Sequence, residues 1–382
     1  MSSSDATPTT EPADGCPLPL AQHRGYARRA LAIGPANYAG QATAWAAAVR
    51  RELQVPSWSF SRTSNFSFPV DRRLSPMAGS KDRRQPITDP AIQSAVQAAS
   101  HVCLDGFLPL TGGRWSGDFQ RDIDELQQCG KWLALACHGS DVRNPVRHLS
   151  RVPHSWWRTG GMKYLAQTMR LTATNLRIIR KNNLPVFVST PDLLHDVPDA
   201  TWLPLTVNVS AFQNAEPIFS GNRLPRVLHL PTRRKPAIKG TEVISPVLRQ
   251  LHCEGLIEAV EPAQMPHEDF IETLKGVDIV IDQIRCDSYG ATSVEAMAAG
   301  RLTLSSVLGT RDLIGLDVPI IDATPTTVEP ILRRVLRAPE RFRDVAESGP
   351  SYARRVHDGR AAALVLRQFM TNVEQENIGS IL

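Results

Sequence analysis

Val277–Gly300, VDIVIDQIRCDSYGATSVEAMAAG, is the stretch whose reading decides the fold. Its apolar run Val277–Ile281, with acids at Asp278 and Asp282, reads as a buried parallel strand. Arg285–Gly290 reads as a polar turn, and Ala291–Ala299, with Ala, Met and Glu, as a helix. In a doubly wound sheet, ligands gather outside the carboxyl ends of strands, where the next helix begins. The free N–H groups and the positive end of the helix dipole there suit a phosphate. Helical side chains lean toward the N-terminus, so the Glu295 carboxylate is expected to reach the same crevice, with Asp287 already on the loop. One anion-binding helix end with two carboxylates eight positions apart points to a nucleotide-sugar site.

On these residues the chain resembles the retaining glycosyltransferases with two facing Rossmann-like domains, the large group typified by bacterial glycosyl transferase group 1 (family 4-like) enzymes. Their signature is an acid, seven residues and a Glu, with an aromatic-Gly pair between and an E-A-x-A-x-G helix. Here these are Asp287, Tyr289-Gly290 and Glu295-Ala296-Met297-Ala298-Ala299-Gly300. Asp287 departs from the pattern, which usually has Glu. An ordinary strand–loop–helix unit, with Glu295 complementing the helix dipole, is the bland alternative.

Fifty residues upstream, RVLHL (Arg226–Leu230) reads as a strand, followed by a loop that feeds a helix. The resemblance implies an Arg and a Lys about five apart in this turn, neutralising the donor's diphosphate as the sugar bond breaks. Arg234 and Lys239 have that spacing, with Arg233 as a substitute. Fixed positive charge aimed where negative charge grows is often the largest catalytic contribution.

The first half repeats the pattern. Arg28–Ile33, the turn GPANYAGQ and the run ATAWAAAVRREL form a strand–turn–helix unit. Gly34 and Gly40 let backbone approach a ligand there, and the resemblance makes Gly40 a donor-binding position; GPANYAG is not a GxGxxG fingerprint, and a tight turn is the bland alternative. Further strands are expected at Trp58–Phe68, a span that includes the outgoing loop, at His101–Leu110 and Trp132–Cys137, and at Leu184–Ser189 as the last strand of the first domain, with Arg72–Arg84 as a basic surface loop. Trp132–Cys137 ends in His138-Gly139-Ser140-Asp141. Many members of the resembled group carry an H-G-x-D at this point, the His facing the sugar; a capped turn is the alternative. Asp122-Ile123-Asp124 falls in an expected helix and is read as surface, not as a metal-binding D-x-D.

A chain of 382 residues fits two domains. The expected division is a disordered tail over 1–24, a Rossmann-like acceptor domain over 25–205, a Rossmann-like donor domain over 206–365, and a C-terminal helix over 366–382 that packs back on the first domain. Six cysteines without a C-x-x-C pair or a His-spaced cluster argue against a disulfide framework or zinc site. No apolar run approaches the roughly 18 to 20 residues of a membrane span, and the first twenty residues lack a signal peptide's basic start and apolar core, so a cytoplasmic protein is expected. From Arg143 to Lys181 there are nine Lys or Arg and no acid. Such a stretch suits peripheral contact with an anionic membrane or a polyanionic acceptor; a solvated helix face whose acidic partners come from elsewhere is the bland alternative. No recognised nucleic-acid module is present.

The resulting expectation is an α/β protein with two Rossmann-like domains facing a cleft, the GT-B architecture. What the resemblance implies is retaining transfer of a sugar from a nucleoside-diphosphate sugar, as co-substrate, to an acceptor hydroxyl on a glycan, lipid or small molecule, with no metal and no further cofactor. Arg234, Lys239, Gly40 and the backbone at Tyr289, Gly290 and Ala291 hold the donor phosphates, Glu295 the ribose diol, and Asp287 and His138 the sugar. A sugar-nucleotide epimerase, a phosphorylase or a non-catalytic nucleotide-sugar-binding protein of the same fold are the alternatives.

Overall fold

The computed structural model describes residues 29–61, 68–74, 90–111, 118–221, 223–231, 238–263 and 265–371. The tail 1–24, Arg233 and Arg234 lie outside the described residues. Within them the chain builds two parallel sheets. The first uses β1 (Leu31–Pro35), β2 (Ser57–Ser61), β3 (Arg72–Arg73), β4 (His101–Asp105), β5 (Trp132–Cys137), β6 (Val186–Val188) and β7 (Thr201–Trp202), in the order β3-β2-β1-β4-β5-β6-β7. The second uses β8 (Arg226–His229), β9 (Glu258–Val260), β10 (Ile279–Ile281), β11 (Leu302–Ser305) and β12 (Ile321–Asp322), in the order β12-β11-β10-β8-β9.

The central strands are buried on both faces, which is why LAIGP and WLALAC read as near-continuous apolar runs. In each sheet the chain builds outward on one side, then returns to the other side of its first strand. The crossing points fall between β1 and β4 and between β8 and β10. In such sheets the crevice at a crossing point is where ligands bind.

The second strand, Ser57–Ser61, opens the stretch expected to hold a strand and its outgoing loop, and 62–67 lie outside the described residues. Several sequence expectations need correcting. Arg72–Arg73, expected in a loop, pairs with Phe60 and Ser61, and the Arg72 guanidinium lies 3.8 Å over the Trp58 ring. A face-on ring favours a cation by its quadrupole, so a basic residue is at home on this edge. β6 is not the last strand of its sheet, because the segment that leaves it adds β7. The helix Leu308–Ile314 and strand β12 had no clear sequence signal. Asp122 does lie in a helix, Phe119–Gln128, but it is fully buried and not a surface group. Its carboxylate accepts the Leu110 amide at 2.6 Å and the Thr111 hydroxyl, closing the turn after β4.

The segment crossing between the sheets is held from both sides. From the first half, Trp45 donates its indole N–H to the Pro204 carbonyl at 2.9 Å, and Gln41 exchanges two hydrogen bonds with the Thr206 backbone. From the second, His357 Nδ1 bonds the Leu205 carbonyl at 2.7 Å, and the Val207 amide donates to the His357 carbonyl. A carbonyl only accepts, so His357 carries its hydrogen on Nδ1 and accepts at Nε2 from the Tyr289 hydroxyl, 3.2 Å away. The last described helix, Arg360–Thr371, packs on the first sheet, with Phe369 edge-on to His101 at 5.1 Å.

Burial lowers the His357 pKa to about 4, although its bond to Leu205 opposes the shift. His357 is therefore neutral in the fold and takes up a proton on unfolding between about pH 4 and its ordinary value. That contribution to stability is complete above the unfolded pKa and is lost as pH falls toward the folded one. His357→Gln keeps a donor but does not titrate. Its unfolding free energy, measured from pH 4.5 to 6.5, should be flatter than that of the wild type by up to about 1.4 kcal/mol per pH unit. Equal slopes would show that the imidazole is not held neutral.

Candidate functional site

The helix Ala291–Ala298 begins at Gly290, whose extended backbone provides no side-chain cap. The amides of its first turn therefore need another partner. Gly290 lets the chain pass close to a neighbour: a Cβ there would lie 2.7 Å from the Gln283 side-chain amide nitrogen, which would have to move aside. Lys239, at the end of the loop after β8, reaches the same point. Its Nζ lies 2.9 Å from Asp282 Oδ1 and 3.3 Å from Thr292 Oγ1. Asp282 is almost completely buried at the end of β10, and Ser293 Oγ donates to its other oxygen at 2.7 Å. Burial alone would raise the Asp282 pKa, but the Lys239 charge and hydrogen bond hold it below the usual carboxylate range. An ammonium has three hydrogens, so Lys239 keeps one for a ligand.

Glu295 stands in the second turn of that helix with little exposure. His267, at the start of the helix His267–Lys275, bonds Glu295 Oε1 through Nε2 at 2.5 Å. On its other side the His267 ring meets Phe68, from the first half of the chain, at 5.4 Å between centroids. Phe68 in turn covers Gly40, where φ is +72° and a Cβ would lie 2.9 Å from the Phe68 ring. A line of contacts thus runs from Gly40 across the cleft to Glu295.

The first sheet contributes its own group at its crossing point. His138, just past β5, bonds Asp105 at the end of β4 through Nε2, stacks on Trp45 at 5.6 Å and meets the edge of Tyr38. Asp105 is fully buried and also accepts the Asn37 amide at 2.7 Å. Burial disfavours the imidazolium, but the charge and hydrogen bond of Asp105, with Asp141, raise the His138 pKa. The three amides that the Asp141 carboxylate accepts, from His138, Gly139 and Val142, fold the turn that presents the ring.

Thus Lys239, Gly290, Ala291 and Glu295 come together at one crossing point, with Gly40 joined to them through Phe68 and His267. His138 belongs to the opposite wall. Two residues of the motif also have structural partners. The Tyr289 side chain points away from the helix end, into the core, where its hydroxyl meets His357 and Tyr352. Asp287 has a left-handed backbone (φ 54°), accepts the Gly309 amide at 2.9 Å, and takes the Thr310 hydroxyl on its carbonyl. Burial raises its pKa to about 6; the Gly309 bond opposes this and nearby Asp192 adds to it.

The basic stretch also divides. Arg143 is buried, 2.6 Å from Asp192 and 5.5 Å from the Trp156 ring, and Arg147 and Arg158 donate to backbone carbonyls. Lys163, Arg170, Arg177, Arg180 and Lys181 are exposed on the helix Gly161–Asn182. Sequence reasoning missed Asp105, Asp282 and His267. Position at a strand's carboxyl end singles out the first two; nothing local marks His267. Among the described residues no cluster of His, Cys, Asp or Glu is arranged to hold a metal ion.

Two parallel α/β sheets meeting through their crossing-point loops define the GT-B architecture. The sequence matches no family model and no curated protein significantly. Solved structures are similar in fold. Sucrose-phosphate synthase from Thermosynechococcus elongatus matches at 14% identity and TM-score 0.60, over 91% of this chain and 99% of that one. A glycosyltransferase from Rickettsia africae matches at 13% and 0.55, over 92% and 100%. Anabaena Alr3699/HepE, solved in complex with UDP and glucose, matches at 10% and 0.55, over 91% and 100%. At these identities the likeness shows the fold.

The Lys239–Asp282 pair makes a prediction that separates scaffold from ligand binding. Lys239→Met strands a buried carboxylate and should cost about 3–5 kcal/mol of unfolding free energy. Adding Asp282→Asn should recover most of that loss in urea titrations. A single mutant as stable as the wild type would mean that the pair does not carry the loop.

Proposed function

We propose that this chain is a retaining glycosyltransferase, moving a sugar from a nucleoside-diphosphate sugar to an acceptor hydroxyl. The observation that carries the reading is the convergence of Lys239, the uncapped helix end at Gly290–Ala291 and the Glu295 carboxylate on the crossing point of the second sheet. Lys239 and the helix amides meet the diphosphate, an arrangement that stabilises the charge growing on a leaving group. Arg234, by the motif, adds a second cation. Glu295 accepts from the ribose diol. The anomeric C–O bond to the diphosphate breaks while the acceptor oxygen bonds to the same face of the sugar. The acceptor proton passes to the leaving phosphate oxygen. Asp287 and the Asp105-bound His138 contact the sugar from the two walls.

No divalent ion is required in this scheme, since Lys239 and the helix end supply the positive charge. The fold neighbours, one of them solved with UDP and glucose, support a nucleotide-sugar ligand. We also assign anionic lipid as the partner of the helix Gly161–Asn182. Lys163, Arg170 and Arg177 recur every seven residues, and Lys181 extends the row. Seven residues are nearly two turns, so these cations share one exposed face, flanked by Met162, which is 78% exposed. No described helix is long and apolar enough to cross a membrane.

The carboxylates should fail differently. Glu295→Gln should weaken free nucleotide as well as donor, because its contacts already exist in the ground state. Asp287→Asn should leave nucleotide affinity within about threefold and cut turnover by about a hundredfold. Calorimetric titration beside initial rates distinguishes them, and wild-type turnover in Asp287→Asn would favour a non-catalytic or altered chemistry. Transfer should survive EDTA; loss restored by manganese would overturn metal independence. Lys163, Arg170 and Arg177 changed together to Gln should abolish sedimentation with phosphatidylserine vesicles at low salt, where screening is weakest. Equal sedimentation with neutral vesicles would remove the lipid assignment.

A further inference from the structure

Three acid–base pairs line the cleft, and one of them has no counterpart in the sequence signature. His267 bonds Glu295 at 2.5 Å, its side chain is 39% exposed, and its ring is bracketed by Phe68 at 5.4 Å and Phe270 at 6.5 Å. Phe68 cannot easily retreat, because it covers Gly40 on its far side. The imidazole is thus held in place from both halves of the chain, with Nε2 aimed at Oε1 of a carboxylate that is itself nearly buried. A carboxylate has about four lone-pair positions, so Oε2 and the second lone pair of Oε1 still suit a pair of vicinal hydroxyls.

The charge matters as much as the geometry. A nucleoside diphosphate is an anion, and an uncompensated Glu295 beside it repels it. A protonated His267 cancels that charge without occupying the whole carboxylate. We infer that His267 is a positioning residue for nucleotide binding: it fixes the Glu295 carboxylate for the ribose diol and offsets its negative charge toward the diphosphate. This rests on the nucleotide-sugar reading of the site and adds a control by pH.

The groups that face His267 are few. Glu295 comes from the helix Ala291–Ala298 and Glu268 from its own helix, and both favour the imidazolium; the turn Val209–Phe212, also packed against this helix, has no ionisable side chain. The hydrogen bond to Glu295 is the main cause of a raised His267 pKa, against an opposing effect of burial. The imidazolium is therefore present below that raised value and lost as pH rises through it. Nucleotide affinity should fall in the same direction. The ligand's terminal phosphate gains charge over part of this range, so the His267→Gln variant serves to subtract its effect.

The experiment uses the full chain and calorimetric titration with UDP, GDP and ADP, carrying forward whichever binds best. His267→Ala should weaken that nucleotide about tenfold, and His267→Gln, which restores a donor, should recover most of the loss at pH 8. From pH 6.5 to 8.5 wild-type affinity should drop several-fold relative to His267→Gln. In NMR titrations of the wild type without ligand, the His267 imidazole should protonate above pH 6.5, and at lower pH in Glu295→Gln. His267→Ala binding as tightly as the wild type, or an imidazole pKa unmoved by Glu295→Gln, overturns the inference. If nucleotide binds and only Glu295→Gln weakens it, the positioning role fails while the nucleotide site stands. If none of the three nucleotides binds the wild type, both fail together.

Discussion

The Leu205 carbonyl, accepting from His357, sets the constraint on which the cleft depends. That bond fixes the tautomer of a buried imidazole, and the tautomer makes His357 Nε2 an acceptor for the Tyr289 hydroxyl. Tyr289 is therefore anchored to the segment crossing between the sheets. One residue later Gly290 opens the helix that carries Glu295, so the helix end is positioned from the same point. Trp45 and Gln41 hold the crossing segment from the first half, in the helix directly after Gly40. Each bond alone is worth only about 1 kcal/mol net. Their joint effect is geometric, because breaking any one leaves a buried polar group unsatisfied.

Around this frame the cleft is built from acids that each carry their own cation. Asp105 has His138, Asp282 has Lys239 and Glu295 has His267. A buried carboxylate without a partner would be neutralised by protonation. Paired, each carboxylate orients its basic partner, with one or more hydrogens left for a ligand. The cations are thus already directed before any anion arrives. An anion gains from that preorganisation, since little reorientation is left to do. The same pairing explains why the site residues come from strand ends and helix starts: only there do a carboxylate on one loop and a cation on the next converge.

Much of this was legible in the sequence. Val277–Gly300 announced strand, turn and helix, and the observed β10 and Ala291–Ala298 lie inside the expected spans. Trp132–Cys137 is a strand end to end. What the sequence hid has a common physical origin. His267 and Glu295, Asp105 and His138, Tyr289 and His357 are far apart in the chain, and no local periodicity records a partner chosen by topology. Asp122 looked like a surface acid because a helix of charged residues has a polar outer face; its burial depends on amides in a turn eleven residues earlier. β3 and β7 contain two residues each, too few for alternation to register. The basic stretch is uniform in sequence, and one sign of charge conceals which arginines have buried partners and which face solvent.

Asp287 has a conformational explanation. The resembled glycosyltransferases usually have Glu at this point, and a shorter acid looks like lost reach. The backbone at Asp287 is left-handed, with φ 54°, a region where Asp and Asn are enriched several-fold among non-glycine residues. Its short carboxylate can satisfy the Gly309 amide while its carbonyl takes the Thr310 hydroxyl, so side chain and backbone together lock the loop to the helix Leu308–Ile314. That helix also packs on the turn Pro191–His195 of the first half. A longer acid on the same backbone would overshoot the Gly309 amide, because the Asp287 carboxylate already fills the space beside that glycine. Aspartate at this position is therefore the acid that suits a left-handed turn, and the loop it locks is the one that carries Gly290 to the helix end.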